Sequence, residues 1–212
     1  TRSMPMWELQ EILSQPAGTK LEMELVRAGE TSRLTLELGP FDPPVPHVEE
    51  EQGASLLRIA AFGPETAKQV GTVLEAAARK GTDKLLLDLR GVSSGEPEAA
   101  YAVAELFAQG DLGALTNREG AVRSFVGQQA PRWKGKLVIL VDRGTLGASE
   151  VLATVLRQKA SGYLVGERTF GHAGREGMIP LSSGGRLLLT DAFYCGPDQK
   201  QLRTPLAPDL LV

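Results

Sequence analysis

One strand-to-helix corner constrains the fold of this chain more than any other stretch. Residues 137–141 read Leu-Val-Ile-Leu-Val, an apolar run that predicts a buried strand. The run is broken at residues 142–145, and from Ala148 onward Val151, Leu152 and Val155 share one helical face. Such a corner presents backbone N–H groups at the helix start, where they can hold an oxyanion. Hydrolases often place a nucleophilic serine there, and the corresponding position in this sequence is Gly147.

The corner and the segment after it resemble the C-terminal processing, or tail-specific, serine peptidases. In that family the corner reads roughly Gly-Ser-Ala-Ser-Ala-Ser-Glu, and the nucleophile is the serine three residues before the glutamate. Counting back from Glu150 gives Gly147. The family's general base is the second lysine of Gly-Glu-Lys-Thr-Phe-Gly-Lys-Gly, and residues 166–172 match this phrase with His172 in the lysine position. A glutamine that orients the lysine in some members is replaced by Glu176, so all three chemical positions are changed.

The resemblance also implies an oxyanion hole made of two backbone N–H groups. In the family one donor comes from an Asn-Asn-Pro-Gly-Gly loop after a buried strand, and the other from the residue after the nucleophile. Here the loop is Gly-Val-Ser-Ser-Gly at residues 91–95, so the positions are Gly95, with Ser94 beside it, and Ala148. Backbone donors do not depend on the side chain, so the hole can persist without the nucleophile. An ordinary strand-to-helix turn gives the same local pattern.

Loss of the nucleophile leaves two interpretations of the chemistry. Gly147 offers no side chain for a base to activate, which favours a catalytically degenerate peptidase-like protein acting in peptide binding, scaffolding or regulation. The alternative is an active serine-type endopeptidase that cleaves unfolded or C-terminal protein segments. Its relocated nucleophile, Ser149 or Thr145, would pair with His172, a competent base near neutral pH. Ser149 also fits the structural Ser-Glu cap of the family. A third interpretation is that Gly147 and His172 are laboratory substitutions. It is disfavoured because it would not explain Glu176 or the altered loop at Ser94.

The chain divides into three predicted segments. Residues 1–39 read as a helix over 6–14, a strand over 20–27 and a strand over 32–38, and this order resembles the second half of a PDZ domain. In PDZ domains that helix forms one wall of a groove for protein C-termini. An arbitrary helix plus hairpin is the other interpretation. Residues 40–53, rich in proline and glutamate, predict a linker, and residues 54–212 match the peptidase core domain.

The alternation of predicted strands and helices through the core domain indicates an α/β fold. The family resemblance implies a core of stacked β-β-α units like those of the Clp (ClpP) and crotonase folds. Residues 110–133 are punctuated by glycines and predict an irregular lip of the cleft. Phe125 and Trp133 in this stretch are interpreted as packing residues rather than ligand contacts.

Composition narrows the possible partners. A net charge of −3 without a basic run gives little support for nucleic-acid binding. The single cysteine, Cys195, excludes an internal disulfide and is predicted to be a packed thiol. Two distant histidines predict no metal site, no cofactor is expected, and no apolar run approaches the roughly 18 residues of a membrane span. The resemblance implies polypeptide segments or protein C-termini as partners and an extracytoplasmic location, and leaves homo-oligomerisation open.

Overall fold

The computed structural model describes residues 12–13, 15–39, 45–51, 53–182 and 184–212. The chain separates into two compact units, residues 1–42 with 178–188 and residues 43–177 with 189–212. Both β-sheets and helices build the second unit, so the predicted α/β class is confirmed. In the part of the chain that is described, no helix is long and apolar enough to cross a membrane.

Three helices and twelve strands make up the described structure. The helices are α1 (Thr66–Arg79), α2 (Pro97–Ala104) and α3 (Ala148–Lys159). The first six strands are β1 (Lys20–Arg27), β2 (Glu30–Glu37), β3 (His47–Glu51), β4 (Ala54–Arg58), β5 (Lys84–Asp88) and β6 (Gly110–Asn117). The last six are β7 (Gly120–Gly127), β8 (Lys136–Val141), β9 (Tyr163–Gly166), β10 (Gly174–Pro180), β11 (Arg186–Cys195) and β12 (Leu210–Leu211).

A six-stranded sheet with the order β12-β9-β8-β5-β4-β3 carries the core. All its neighbouring strands are parallel except β3, which runs antiparallel to β4. Leu57, Leu87 and Ile139 are fully buried on one face, where they join Leu74 of α1 and Leu152 of α3 in a single apolar cluster. Because the strands are parallel, the carboxyl ends of β4, β5 and β8 meet at one edge of the sheet. The strand-to-helix corner and the loop over residues 91–95 both follow this edge.

The prediction of an irregular lip over residues 110–133 is wrong. Strands β6 and β7 form a hairpin in a second, four-stranded sheet with the order β10-β11-β6-β7. The glycines in this stretch were interpreted as breaks between elements, so the hairpin was not predicted. Gly113 is required because β6 and β11 approach each other closely at this residue. Its φ is +133°, and an added Cβ would lie 2.1 Å from the carbonyl oxygen of Cys195. Phe125 and Trp133 are both buried, with exposed fractions of 8% and 6%.

The N-terminal region differs from its prediction in two respects. Strands β1 and β2 form the expected antiparallel hairpin, but β2 starts at Glu30 rather than at residue 32, and its Leu34 and Leu36 are 43% and 47% exposed. A two-stranded sheet alone cannot enclose a core, which accounts for this exposure. Within the predicted linker, residues 47–51 form the edge strand β3, and Glu49 of this strand is exposed to solvent. Of the predicted helix over residues 6–14, only Ile12 and Leu13 are described, and both are helical.

Candidate functional site

The corner between β8 and α3 places one residue, Gly147, in a backbone conformation that favours glycine. Gly147 is the N-cap of α3, with φ of 64° and ψ of −111°. Residues with a side chain rarely adopt this backbone conformation, which glycine tolerates freely. A Cβ added at Gly147 would meet nothing within 4 Å. The position therefore combines the sharp turn and the open space of a nucleophile elbow with the absence of a nucleophile.

Glu150 joins this corner to the segment that contains His172. The glutamate is 1% exposed. Its Oε2 accepts the backbone N–H of Gly147 at 3.2 Å and that of His172 at 2.9 Å. Its Oε1 accepts the Thr169 hydroxyl at 2.5 Å and the Gly171 N–H at 2.7 Å. The backbones of Gly147 and His172 are thus held beside each other by one buried carboxylate.

His172 lies in a polar but partly solvated setting. Its Nε2 is 3.2 Å from Oε1 of Glu176, and the two side chains are 39% and 41% exposed. The same Glu176 oxygen accepts the hydroxyl of Thr190 at 2.7 Å. The His172 ring also packs edge-on against Phe193 at 5.6 Å, and the guanidinium of Arg203 lies 4.0 Å over that Phe193 ring. The structure therefore brings His172 and Glu176 together as a pair oriented from β11.

The loop over residues 91–95 runs alongside the corner. Gly95 has φ of +117°, and an added Cβ would lie 2.3 Å from the carbonyl oxygen of Phe62, so only glycine fits. Around it, the Phe62 N–H donates to the carbonyl of Ser94 at 3.3 Å, and the Glu96 N–H donates to the carbonyl of Phe62 at 3.0 Å. Within the described ranges, the N–H groups of Gly95 and Ala148 have no protein acceptor. Gly95 is exposed, whereas Ala148 is 3% exposed.

Comparison with known proteins now identifies the scaffold. The family model described as peptidase family S41 matches residues 54–212. The chain belongs to peptidase family S41. This confirms the resemblance to C-terminal processing serine peptidases that the corner motif indicates.

Individual relatives agree with this S41 assignment. The carboxyl-terminal-processing protease of Synechocystis sp. is 28% identical over 221 residues, covering 100% of this chain and 52% of that protein. The carboxy-terminal processing protease CtpA of Bacillus subtilis is 26% identical, covering 93% of this chain and 43% of that protein. A solved photosystem II D1 C-terminal processing protease superposes with a TM-score of 0.73 at 25% identity, covering 92% of this chain and 56% of that one. The S41 chain spans about half the length of these relatives.

The two alternative nucleophiles of the S41 chain are buried and already hydrogen-bonded. Ser149 is 0% exposed; its hydroxyl donates to the carbonyl of Val92 at 2.7 Å and accepts the N–H of Leu146 at 2.9 Å. The Leu146 N–H also donates to the carbonyl of Val92 at 3.0 Å, which joins the corner to the loop over residues 91–95. These contacts give Ser149 a structural role in joining two loops.

Thr145 is likewise 0% exposed. Its hydroxyl donates to the carbonyl of Leu89 at 2.9 Å and accepts the N–H of Asp142 at 3.0 Å. Neither this hydroxyl nor that of Ser149 has a hydrogen bond to His172 in the described structure. A relocated nucleophile would have to break these buried bonds before it could meet a base.

Cys195 lies in the interior of the fold. The Cys195 thiol is buried, lies 3.1 Å from the hydroxyl of Thr116, and burial raises the pKa of the thiol. A protonated, enclosed thiol is a poor nucleophile. Across the described residues, no three His, Cys, Asp or Glu side chains cluster in a way that could hold a metal ion.

Sequence reasoning missed several contacts that build this site. Thr169 and Glu150 form the buried link between the corner and residues 169–172. Glu150 follows the N-cap Gly147 by three residues, which is the spacing of a capping box, so its bond to the N-cap N–H was readable from the sequence. Thr190 and Phe193 reach His172 from a distant strand, and no local pattern indicates them.

Proposed function

We propose that this chain is a polypeptide-binding member of peptidase family S41 that does not cleave its ligand. The observation that carries the proposal is Gly147, which stands in the strained elbow position without an Oγ. Covalent catalysis by this family needs a hydroxyl at that position and a base within hydrogen-bond reach of it. His172 is a base with no nucleophile to activate.

The competing proposal of an active peptidase has less support. Ser149 and Thr145 would each have to leave a buried carbonyl acceptor, and each hydroxyl also accepts a backbone N–H. Leaving those partners unsatisfied costs about 1–3 kcal/mol for each buried group. Both hydroxyls are therefore better explained as parts of the scaffold.

What remains of the site favours binding a polypeptide backbone. The N–H groups of Gly95 and Ala148 are free to donate to a carbonyl oxygen, and the loops that present them are joined through Val92. We propose polypeptide segments or protein C-termini as ligands. Residues 1–39 would contribute as the second half of a PDZ-like module. By the same family resemblance we propose an extracytoplasmic location, and a homo-oligomer is compatible with the proposal.

Two measurements on the purified chain test this proposal. The first is incubation with an unfolded protein substrate and with a serine-reactive fluorophosphonate probe, where we expect neither turnover nor labelling. The second is fluorescence anisotropy with labelled peptides, where we expect saturable binding. Turnover together with labelling at Ser149 or Thr145 would instead establish an active, rebuilt site. Absence of both cleavage and binding would remove the binding proposal.

A further inference from the structure

Arg58, Asp88 and Arg90 form a charged cluster at the carboxyl ends of β4 and β5, apart from the Gly147–His172 site. Parallel register places Arg58 directly beside Asp88. Oδ2 of Asp88 accepts two hydrogen bonds from Arg58, from Nη2 at 2.6 Å and from Nε at 3.1 Å. It accepts a third from Nη2 of Arg90 at 2.9 Å. Oδ1 accepts Nε and the backbone N–H of Arg90 at 2.9 and 3.1 Å. One carboxylate therefore fixes two guanidinium groups in place.

The charges of this cluster are segregated between interior and surface. The Asp88 side chain is 3% exposed, whereas those of Arg58 and Arg90 are 52% and 49% exposed. Burial alone would raise the pKa of Asp88, but the hydrogen bonds from Arg90 and Arg58 outweigh it and lower the pKa to about 2. Among the described residues, neither arginine has an acceptor for Nη1. The surface thus presents two positioned donors with positive charge.

The two arginines line a pocket of about 340 Å³. Its remaining walls are formed by Ile59, Ala60, Asp88, Gly91, Val92 and Asp142. Asp142 is the other carboxylate in the pocket, and its Oδ1 already accepts the N–H groups of Gly91 and Gly144, each at 2.9 Å. Asp88 occupies Nε and Nη2 of both arginines, and Nη1 of each arginine is the donor without an acceptor among the described residues.

We propose that this pocket recognises a carboxylate group of a bound polypeptide, carried by an acidic side chain or by the C-terminus. The inference rests on the proposed peptide-binding function. Since Asp88 takes the Nε side of each guanidinium, Nη1 and the second N–H of Nη2 are left to donate two bonds end-on to a carboxylate. Two guanidinium groups that are already fixed lose little freedom on binding. Ligands of open α/β sheets bind outside the carboxyl ends of parallel strands, which is where this pocket lies.

The pocket is also connected to the S41 corner. Val92 lines the pocket, and its carbonyl accepts hydrogen bonds from the Leu146 N–H and the Ser149 hydroxyl at the start of α3. A polypeptide that crosses the glycine loop over residues 91–95 therefore meets both features. The pocket supplies a charge preference that backbone donors alone cannot supply.

The inference is tested by measuring the affinity of the whole chain for four labelled peptides that share one sequence apart from the changes below. They carry acidic or neutral side chains, each with a free or an amidated C-terminus, so the two sources of carboxylate are separated. Arg58→Gln removes one of the two guanidinium groups and leaves Asp88 paired with Arg90. We expect it to weaken the carboxylate-bearing peptides about tenfold and to leave the neutral amide unchanged. The matched control is Arg132→Gln, because Arg132 is 45% exposed and paired with Glu75 elsewhere; all four affinities should be retained.

A second measurement keeps the inference testable if Arg58→Gln unfolds. Arg58→Lys retains the charge without the fork, and we expect it to weaken the same peptides. In the unaltered protein, acetate should shift the Arg58 and Arg90 side-chain N–H resonances, and chloride at equal ionic strength should not. Unchanged peptide affinities in a folded Arg58→Gln variant would reduce the cluster to a structural ion pair. If acetate shifts the resonances but no peptide binds, the carboxylate pocket is supported and the proposed peptide-binding function is wrong. If acetate causes no shift and no peptide binds, the pocket and the peptide-binding function are both wrong.

Discussion

The carboxylate of Glu150 accepts a hydrogen bond from the backbone N–H of His172 at 2.9 Å. The same oxygen accepts the N–H of Gly147 at 3.2 Å, so one buried atom sets the spacing between the two positions. Both bonds come from backbone groups and do not depend on the side chains at 147 and 172. The local geometry therefore does not require a side chain at position 147, which is consistent with the proposal that this position has lost a nucleophile.

Replacing Glu150 should therefore destabilise the fold rather than only the site. In Glu150→Gln an amide nitrogen faces backbone donors, which leaves at least one buried N–H without an acceptor. We expect a loss of about 2–4 kcal/mol in the free energy of unfolding, measured by urea denaturation. The control is Glu75→Gln, since Glu75 is 55% exposed and pairs with Arg132 on the surface. Equal stability of the two variants would show that the four bonds to Glu150 are dispensable.

Two glycines with positive φ should respond differently to alanine. Gly147→Ala places a Cβ in open space at φ of +64°, so only backbone strain of about 1 kcal/mol is expected. Gly95→Ala places a Cβ 2.3 Å from the carbonyl oxygen of Phe62, which forces the loop to move. Thermal unfolding should show a small loss for the first variant and a much larger loss for the second. The reverse order would mean that the loop over residues 91–95 is not held against Phe62.

The stability of the fold should depend on pH through Asp88. Its folded pKa of about 2 lies below the ordinary value of 3.8, because the hydrogen bonds from Arg90 and Arg58 outweigh the opposing effect of burial. A depressed pKa contributes stability that is present above the unfolded value and is lost as the pH falls through the folded value. The contribution is about 2 kcal/mol, present above about pH 4 and lost toward pH 2.

Comparing unfolding free energies of the unaltered protein and Asp88→Asn between pH 6 and pH 2 checks this. The difference between them should shrink by about 2 kcal/mol over the lower half of that range. Glu75→Gln serves as the surface control, because Glu75 is 55% exposed and pairs with Arg132. A difference that stays constant with pH would show that Asp88 does not titrate as the geometry implies.

The sequence predicted the parts of this structure that depend on local patterns. The apolar run before Gly147 and the helical face after it located the corner, and β8 ends at Val141 as that pattern requires. The order of strands and helices was sufficient to predict the α/β class. The family resemblance fixed which positions to compare, and the geometry places Gly147 and His172 on one carboxylate.

Other features depend on contacts that no local pattern encodes. The β6–β7 hairpin was missed because Gly113 reads as a break, although it allows close approach to Cys195. Thr190 reaches Glu176 only through pairing of β10 with β11. The Arg58–Asp88 pair exists only because β4 and β5 are in parallel register. In each case the chemistry comes from tertiary register rather than from spacing along the chain.

Introducing the family's serine and lysine at positions 147 and 172 tests the proposal that this site differs from an active one only in its side chains. Gly147→Ser introduces a hydroxyl into space with no neighbour within 4 Å, at a cost of about 1 kcal/mol for the positive φ. His172→Lys supplies the family's base. Glu176 lies within hydrogen-bond reach of residue 172 and would hold an introduced lysine in its charged form, which cannot accept a proton.

We therefore expect weak fluorophosphonate labelling in the Gly147→Ser/His172→Lys variant and stronger labelling once Glu176→Gln is added. The backbone donors at Gly95 and Ala148 would supply the oxyanion stabilisation, which is worth about 3 kcal/mol for each donor in serine peptidases. The matched control carries Gly147→Ala with the other two changes and must not label, because it has no hydroxyl at the corner. Suppose the triple variant folds, a crystal structure shows the introduced serine beside the introduced lysine, and labelling still fails. The loop over residues 91–95 would then have lost its oxyanion function too, and decay of the site would extend beyond its side chains.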